Sequence, residues 1–320
     1  MNGRFTGISM MLFAAVFLTG GPACGQQYPV KPIRFIVGPG PDVLARLIGQ
    51  KMTESWGQQV IVDQRPGAGG TIAADSTAKA APDGYTLLLT TGSFTINVSL
   101  YRNLPYDFVH DLAPVSLLGT LPFIFVVHPS LPVTSVKALI ALARSRPGQL
   151  NYASAGNGTP PHLAAEMLKN TMKINIVHVP YKGVAPAIID MLSGQVQMMF
   201  AVAPAGLPHV TSGRLRALAV SSPRRALALP EVPTMAEAGV PGFNVVSWNG
   251  VHVPSKTPPA VIEKLNAEIL RALKQKDVLD RMLSLGYEPA GTSPQEFDVL
   301  VRADIARWAK VIRESDIHAD

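Results

Sequence analysis

The chain has 320 residues, 47% hydrophobic and 16% charged, which is enough to bury a core in two domains. Its formal charge of +6 is scattered, with no basic cluster interleaved with aromatic side chains, and this argues against a nucleic-acid partner. A single cysteine, Cys24, leaves little room for disulfide or thiol chemistry.

Residues 1–25 have the layout of a signal peptide. Arg4 supplies the positive end, Ile8 to Leu18 the apolar run, and Gly21 to Gly25 the small-residue cleavage zone. The apolar run is too short to span a bilayer comfortably. Cleavage is expected after Ala23 or Gly25. Cys24 invites a lipoprotein reading, but Gly21-Pro22 occupies the place of the residues that lipidation favours. A cut after Gly25 leaves no cysteine, and export without disulfides fits a bacterial periplasm.

Beyond residue 25, strand, glycine-rich loop and helix recur. Pro32 to Val37 reads as a strand, Gly38 to Pro41 as a turn, and Asp42 as the cap of a helix with Leu44, Leu47, Ile48 and Met52 on its apolar face. Gln59 to Val62 is the next strand, followed by Arg65 to Gly70 and a helix from Thr71. Tyr85 to Thr90 is a third strand. Gly92-Ser93 then precedes a helical turn at Thr95 to Leu100. The order is that of a parallel sheet with helices on its faces, where sites form beyond the carboxyl ends of the strands.

Phe123 to Val127 is an apolar strand, with Pro122, Pro129 and Pro132 marking a change of direction, and Ser135 opens a helix. The most informative stretch follows, Tyr152 to Leu168. Its β-type start leads into a loop with Gly156 and Gly158, and Thr159-Pro160 then forms an N-cap with proline at N1. Glycines let several N–H groups face one small volume, which suits a carboxylate or phosphate. Ile176 to Val179, Val196 to Phe200 and Leu215 to Val220 read as strands. Tyr181 to Gly183 turns into a helix over Pro186 to Leu192, and a proline-bearing helix or loop precedes Leu215. The pattern implies a second α/β unit inserted into the first.

Leu229 to Gly242 reads as loop and short helix, and Val245 to His252 as the return crossing. In the helical tail, Thr257-Pro258 repeats the Thr-Pro cap and Gly286 closes a short helix. Ser293-Pro294-Gln295-Glu296 is a capping box. Phe297, Leu300, Val301, Ile305 and Trp308 form a core stripe. The expected boundaries are 26–124 with 248–320 for one domain and 125–247 for the other.

No nucleophile elbow, phosphate-loop motif or close histidine pair occurs, so the residues ask for no metal and no cofactor. His162 is either a functional histidine or a packed one bonded to a neighbouring loop.

The sequence resembles the Bug or TctC-type periplasmic receptors of tripartite tricarboxylate transporters. The matching stretches are YPVKPIRFIV from Tyr28, DVLARLIG from Asp42, RPGAGG from Arg65, PDGYTLLL from Pro82, YASAGNGTPPHLAAE from Tyr152 and HVPYKG from His178. GRLRALAV from Gly213, LPEVPTMAEAG from Leu229 and WNG from Trp248 continue the match. The resemblance implies an α/β fold, a two-domain clamshell of the type II periplasmic-binding kind with an interdomain ligand cleft. It further implies that a small organic anion is bound there, through backbone N–H groups, hydroxyls and waters, and delivered to permease subunits in the membrane. A receptor presenting its ligand to a sensor domain, or an enzyme on the same fold, is the alternative. By matching motif the contacts come from Asp42, Gly92, Ser93, Ala155, Gly156, Asn157, Gly158, Thr159, His162, Lys182 and Gly183, with Lys182 alternatively a solvated rim charge. Two positions depart from the family pattern. Four residues are missing between Val37 and Asp42, and Ala201 follows Phe200 where an Asp is common.

Overall fold

The computed structural model describes residues 28–38 and 42–318. The signal-peptide segment, Cys24 and Pro39–Pro41 of the shortened turn lie outside the described residues. The first half alternates strand and helix as β1 (Ile33–Val37), α1 (Val43–Trp56), β2 (Val60–Gln64), α2 (Thr71–Ala78), β3 (Thr86–Thr91) and α3 (Gly92–Leu100). A long strand, β4 (Leu112–Val127), leads to α4 (Val136–Ser145), β5 (Asn151–Ser154), α5 (Pro160–Met172), β6 (Val177–Pro180), α6 (Val184–Ser193), β7 (Met198–Val202), α7 (Ala203–Thr211) and β8 (Arg216–Val220). The chain returns through β9 (Val246–Pro254) and ends with α8 (Pro259–Leu273), α9 (Lys276–Ser284), β10 (Glu288–Pro289) and α10 (Pro294–Glu314).

The strands run in the order β2-β1-β3-β9-β4-β7-β5-β6, with β8 and β10 also on β4. β1 pairs in parallel with β2 and β3, and β5 with β6 and β7. β9 is antiparallel to both β3 and β4. From Leu112 to Pro122, β4 pairs with β9; from Phe123 to Val127 it pairs with β7 and β8. In that second part alternate residues enter different clusters. Ile124 and Val126 join one core, and Phe123, Phe125 and Val127 the other. A strand buried on both faces needs the unbroken apolar run FIFVV. Phe125 stacks on Phe200 at 4.3 Å and Phe200 on Phe243 at 5.5 Å.

Several boundaries differ from the sequence expectation. β4 starts at Leu112 rather than Phe123, and it holds Pro114 and also Pro122, which had marked a change of direction. Pro114 sits at a register shift and Pro122 is the last residue paired to β9, positions where a missing N–H costs little. α3 begins at Gly92, because Thr91 acts as N-cap and accepts from Ser93 N at 3.3 Å. Leu229 to Gly242 forms turns without a helix, tied down by a parallel bridge between Val220 and Thr234. Thr257 is not a cap; its hydroxyl donates to Pro254 O at 2.7 Å and Pro258 takes the N-cap position. The capping box at Ser293 and Glu296 forms as expected, and Gly286 takes its place at φ 78° after α9.

Gly250 in β9 lies under the fully buried ring of Phe297. A Cβ there would come 2.0 Å from Phe297 Cζ. Gly250→Ala is therefore expected to cost about 1–3 kcal/mol in the urea unfolding midpoint, and Gly250→Ala with Phe297→Leu to cost less than the two single changes added together. Additive costs would show that the two residues do not press on each other.

Candidate functional site

The register places the carboxyl ends of both parallel sets at one gap. Across β9, Thr91 at the end of β3 is level with Gly119 of β4, through Asn249. Val202, at the end of β7, is paired with Phe123. Four residue steps of β4, from Gly119 to Phe123, separate these ends, about 13 Å of extended chain. The loops after β2, β3, β5, β6 and β7 emerge into the same gap from opposite sides. The two sides touch where Gly158 packs so closely on Leu100, the last residue of α3, that a Cβ would lie 2.4 Å from Leu100 Cδ2.

From the first half, the amino end of α3 faces this gap. Gly92 and Ser93 head the helix, where first-turn N–H groups have no partner within the helix. A buried network lies beneath. Asp304 Oδ2 of α10 accepts from Thr95 Oγ1 at 2.6 Å and from Trp248 Nε1 at 3.0 Å, and Arg307 donates to Oδ1. Arg307 also donates to Asn244 O at 2.7 Å, so one side chain ties the tail helix to the segment entering β9.

Asp42 does not cap α1 with its side chain. Its carboxylate accepts from Arg46 Nε at 2.8 Å and Gln64 Nε2 at 2.6 Å. The hydrogen bond from Arg46 holds its pKa below the usual carboxylate range. These two side-chain donors, one of them charged, take the place of the cap, and the group stays ionised.

From the second half comes the Ala155–Thr159 loop, and most of its polar groups are engaged within it. Gly156 N donates to Ser154 Oγ at 3.1 Å, and Gly158 N to His162 Nδ1 at 3.0 Å. Thr159 occupies the N-cap position of α5 but makes no side-chain cap bond. Its hydroxyl donates to Gly156 O at 2.7 Å, so the expected cap and the expected free donor are both absent in this arrangement. Pro160 and Pro161 follow without N–H groups. Asn157 is exposed at the tip, and Ala155 is half-buried with its carbonyl accepting from Gly183 N at 3.1 Å. Lys182 is exposed on the neighbouring turn, and no ion pair of its ammonium is found among the described residues. Val184 and Ala185 open α6 beside it.

His162 is buried and bonded to the loop, the second of the two readings open from sequence. His178, not picked out from sequence, stacks on it at 3.9 Å and 6°. Only the strand register, with Tyr152 opposite His178, brings β6 to this place. Burial lowers both histidines from 6.5 to about 4, helped in His162 by Lys169 and in His178 by His162. The 3.9 Å approach of His162 Nε2 to Glu166 is thus no ion pair at neutral pH. Glu166 is instead held by Tyr152 OH at 2.5 Å and Lys169 Nζ at 2.6 Å.

The family model described as "Tripartite tricarboxylate transporter family receptor", TctC, matches residues 44–317. The chain belongs to the TctC family. Protein BugT of Bordetella pertussis is 39% identical over 310 residues, 95% of each chain. Among solved structures, the R. palustris protein with adipate has a TM-score of 0.81 at 37% identity, covering 91% of this chain and 99% of that one. MatC from Rhodopseudomonas palustris with bound malate has a TM-score of 0.76 at 34% identity, covering 89% and 100%. This TctC protein has the type II periplasmic-binding fold with two α/β domains, and its place is the periplasm. It is a solute-binding protein with a role in transport, and its family is one of binding proteins serving a membrane permease.

A third histidine, His252, is buried, bonded to Thr90 Oγ1 at 2.9 Å and lowered by burial to about 3. For each of these bases the unfolded chain binds a proton below 6.5 that the folded chain refuses. Their contribution is complete above pH 6.5 and is lost as pH falls towards 4. Stability in urea is expected to drop by about 2 kcal/mol or more between pH 7 and pH 5, where most carboxylates are still ionised, and His252→Gln should flatten the slope. An unchanged midpoint over that interval would count against three neutral imidazoles in the folded chain.

Proposed function

We propose that the protein is an extracytoplasmic receptor that binds a small organic carboxylate in the interdomain cleft and delivers it to its permease. The supporting observation is the convergence of loops from the carboxyl ends of both parallel strand sets on one gap, with Gly158 already touching Leu100. Chains of four to six carbons carrying two carboxylates are the first candidates, since two relatives above 30% identity are described with malate and with adipate. Residues 26–124 and 248–320 act as one domain and 125–247 as the other, with the partner change on β4 and the start of β9 as the crossings.

Within the site, the first carboxylate is taken by the head of α3, through Gly92 N–H and the Ser93 hydroxyl, where the helix dipole favours negative charge. The turn Lys182-Gly183 and the exposed edge of the Ala155–Thr159 loop, with Asn157 at its tip, complete the cleft from the other domain. Gly156, Gly158 and Thr159 serve mainly to shape that loop, because their donors are engaged. Asp42, itself an anion paired with Arg46, lines the entrance and selects against poorly placed charge rather than ligating a carboxylate.

Mass spectrometry of small molecules released from gently purified protein is expected to return an organic acid, and calorimetry with malate, succinate and adipate to give saturable binding. Ser93→Ala should weaken the binding by about tenfold or more, the loss of one hydrogen bond to a charged group. Recovery of a nucleotide or a metal ion with no organic acid, together with no heat from any of the diacids, would overturn this reading.

A further inference from the structure

Behind the Ala155–Thr159 loop the two histidines grip its two ends. His162, the N3 residue of α5, reaches back and its Nδ1 accepts from Gly158 N at 3.0 Å. A backbone N–H only donates, so Nδ1 carries the lone pair and the ring proton sits on Nε2. His178 Nε2 lies 2.6 Å from Ser154 Oγ, and Ser154 Oγ in turn accepts from Gly156 N and contacts Gly156 O at 3.0 Å. The rings lie face to face at 3.9 Å, and Tyr152 stacks on His178 at 4.8 Å. The loop is thus held at Gly156 through one imidazole and at Gly158 through the other. Each imidazole prevents the other from tilting.

The groups packed around the pair keep this arrangement in one state. Glu166 and Lys169 of α5 pair with each other, and Tyr152 of β5 donates to the same carboxylate oxygen. Two imidazolium rings at this separation would repel, and a proton on His162 Nδ1 would remove the acceptor of Gly158 N. Both glycines have positive φ, 131° at Gly156 and 68° at Gly158, and without these anchors such a segment has wide conformational freedom.

We propose that His162 and His178 are positioning residues that form a stacked strut behind the ligand loop, and that affinity depends on the strut holding Gly158 N–H inward rather than on either imidazole touching the ligand. The proposal rests on the reading of the gap as a carboxylate cleft. It differs from a direct-contact role for His162, because Nδ1 is occupied by Gly158 N, Nε2 turns towards Glu166 of its own helix at 3.9 Å, and the ring is buried.

The test uses two variants. His162→Phe keeps a flat ring for stacking but has no acceptor, whereas His162→Asn places an amide oxygen where Nδ1 was. In the ligand-free protein, amide exchange at Gly158 should accelerate about tenfold or more in His162→Phe and return to within about threefold of wild type in His162→Asn. Affinity for a four-carbon and a six-carbon dicarboxylate should follow the same order, falling about five- to tenfold in the Phe variant and recovering in the Asn variant. Unchanged Gly158 exchange in a folded His162→Phe protein overturns the strut. Equal loss of affinity in both variants with Gly158 exchange normal in the Asn variant also overturns it, in favour of direct contact. If wild type binds neither diacid, the carboxylate reading fails on its own, while the exchange measurement still decides the strut.

Discussion

One strand makes hydrogen bonds for both halves of the molecule. β4 gives its first eleven residues to β9 and its last five to β7 and β8, so the two parallel sets are parts of one twisted surface. Everything about the cleft depends on this. Because β9 lies antiparallel between β3 and β4, and β7 lies antiparallel beyond β4, the carboxyl ends of the two sets point towards each other. Glycine loops that would otherwise decorate opposite ends of separate domains are brought to the two sides of a single gap.

The loops at that gap differ in what they have left to offer. The head of α3 keeps first-turn donors and is braced from beneath by Asp304, Trp248 and Thr95. The glycine loop before α5 uses its donors on Ser154, His162 and its own carbonyl. Burial of the side chains that hold it raises the cost of leaving any of them unmatched, which favours one loop conformation over many. In this chain the gap thus has helix-end N–H groups on one side and a loop stiffened by its own hydrogen bonds on the other.

Most of the alternation of strands and helices was legible in the sequence, because each parallel strand is a short apolar run followed by a glycine turn. The Ser293–Glu296 box could be read from four consecutive residues, since its chemistry is local. Non-local features were hidden. The start of β4 at Leu112 was obscured by Pro114 and Pro122, which a strand tolerates only where a register shift or a change of partner removes the need for the N–H. Thr159 looked like a cap, yet Gly156 O lay within reach of its hydroxyl once Gly156 took positive φ. His178 stood in a motif noted for its lysine and glycine. Only the pairing of Tyr152 with His178 revealed that a residue in another strand stacks on a histidine in α5.

The route of β4 also bears on how the chain reaches its native state. Pro122 pairs with Val246, on the far side of the whole second domain in the sequence. That strand pairing closes a very long loop, and loop-closure entropy delays contacts of this kind while the local strand–helix–strand units form early. Assembly is therefore expected to finish at the centre of the molecule. Until β9 enters, β3 and the first part of β4 present unpaired edges. α10 follows β9 in the chain, and its Asp304 and Arg307 tie down the head of α3 and the approach to β9. The C-terminal helix is thus expected to act as the closing latch of folding, and a chain nicked before residue 304 would lose the latch while keeping the loops at the gap.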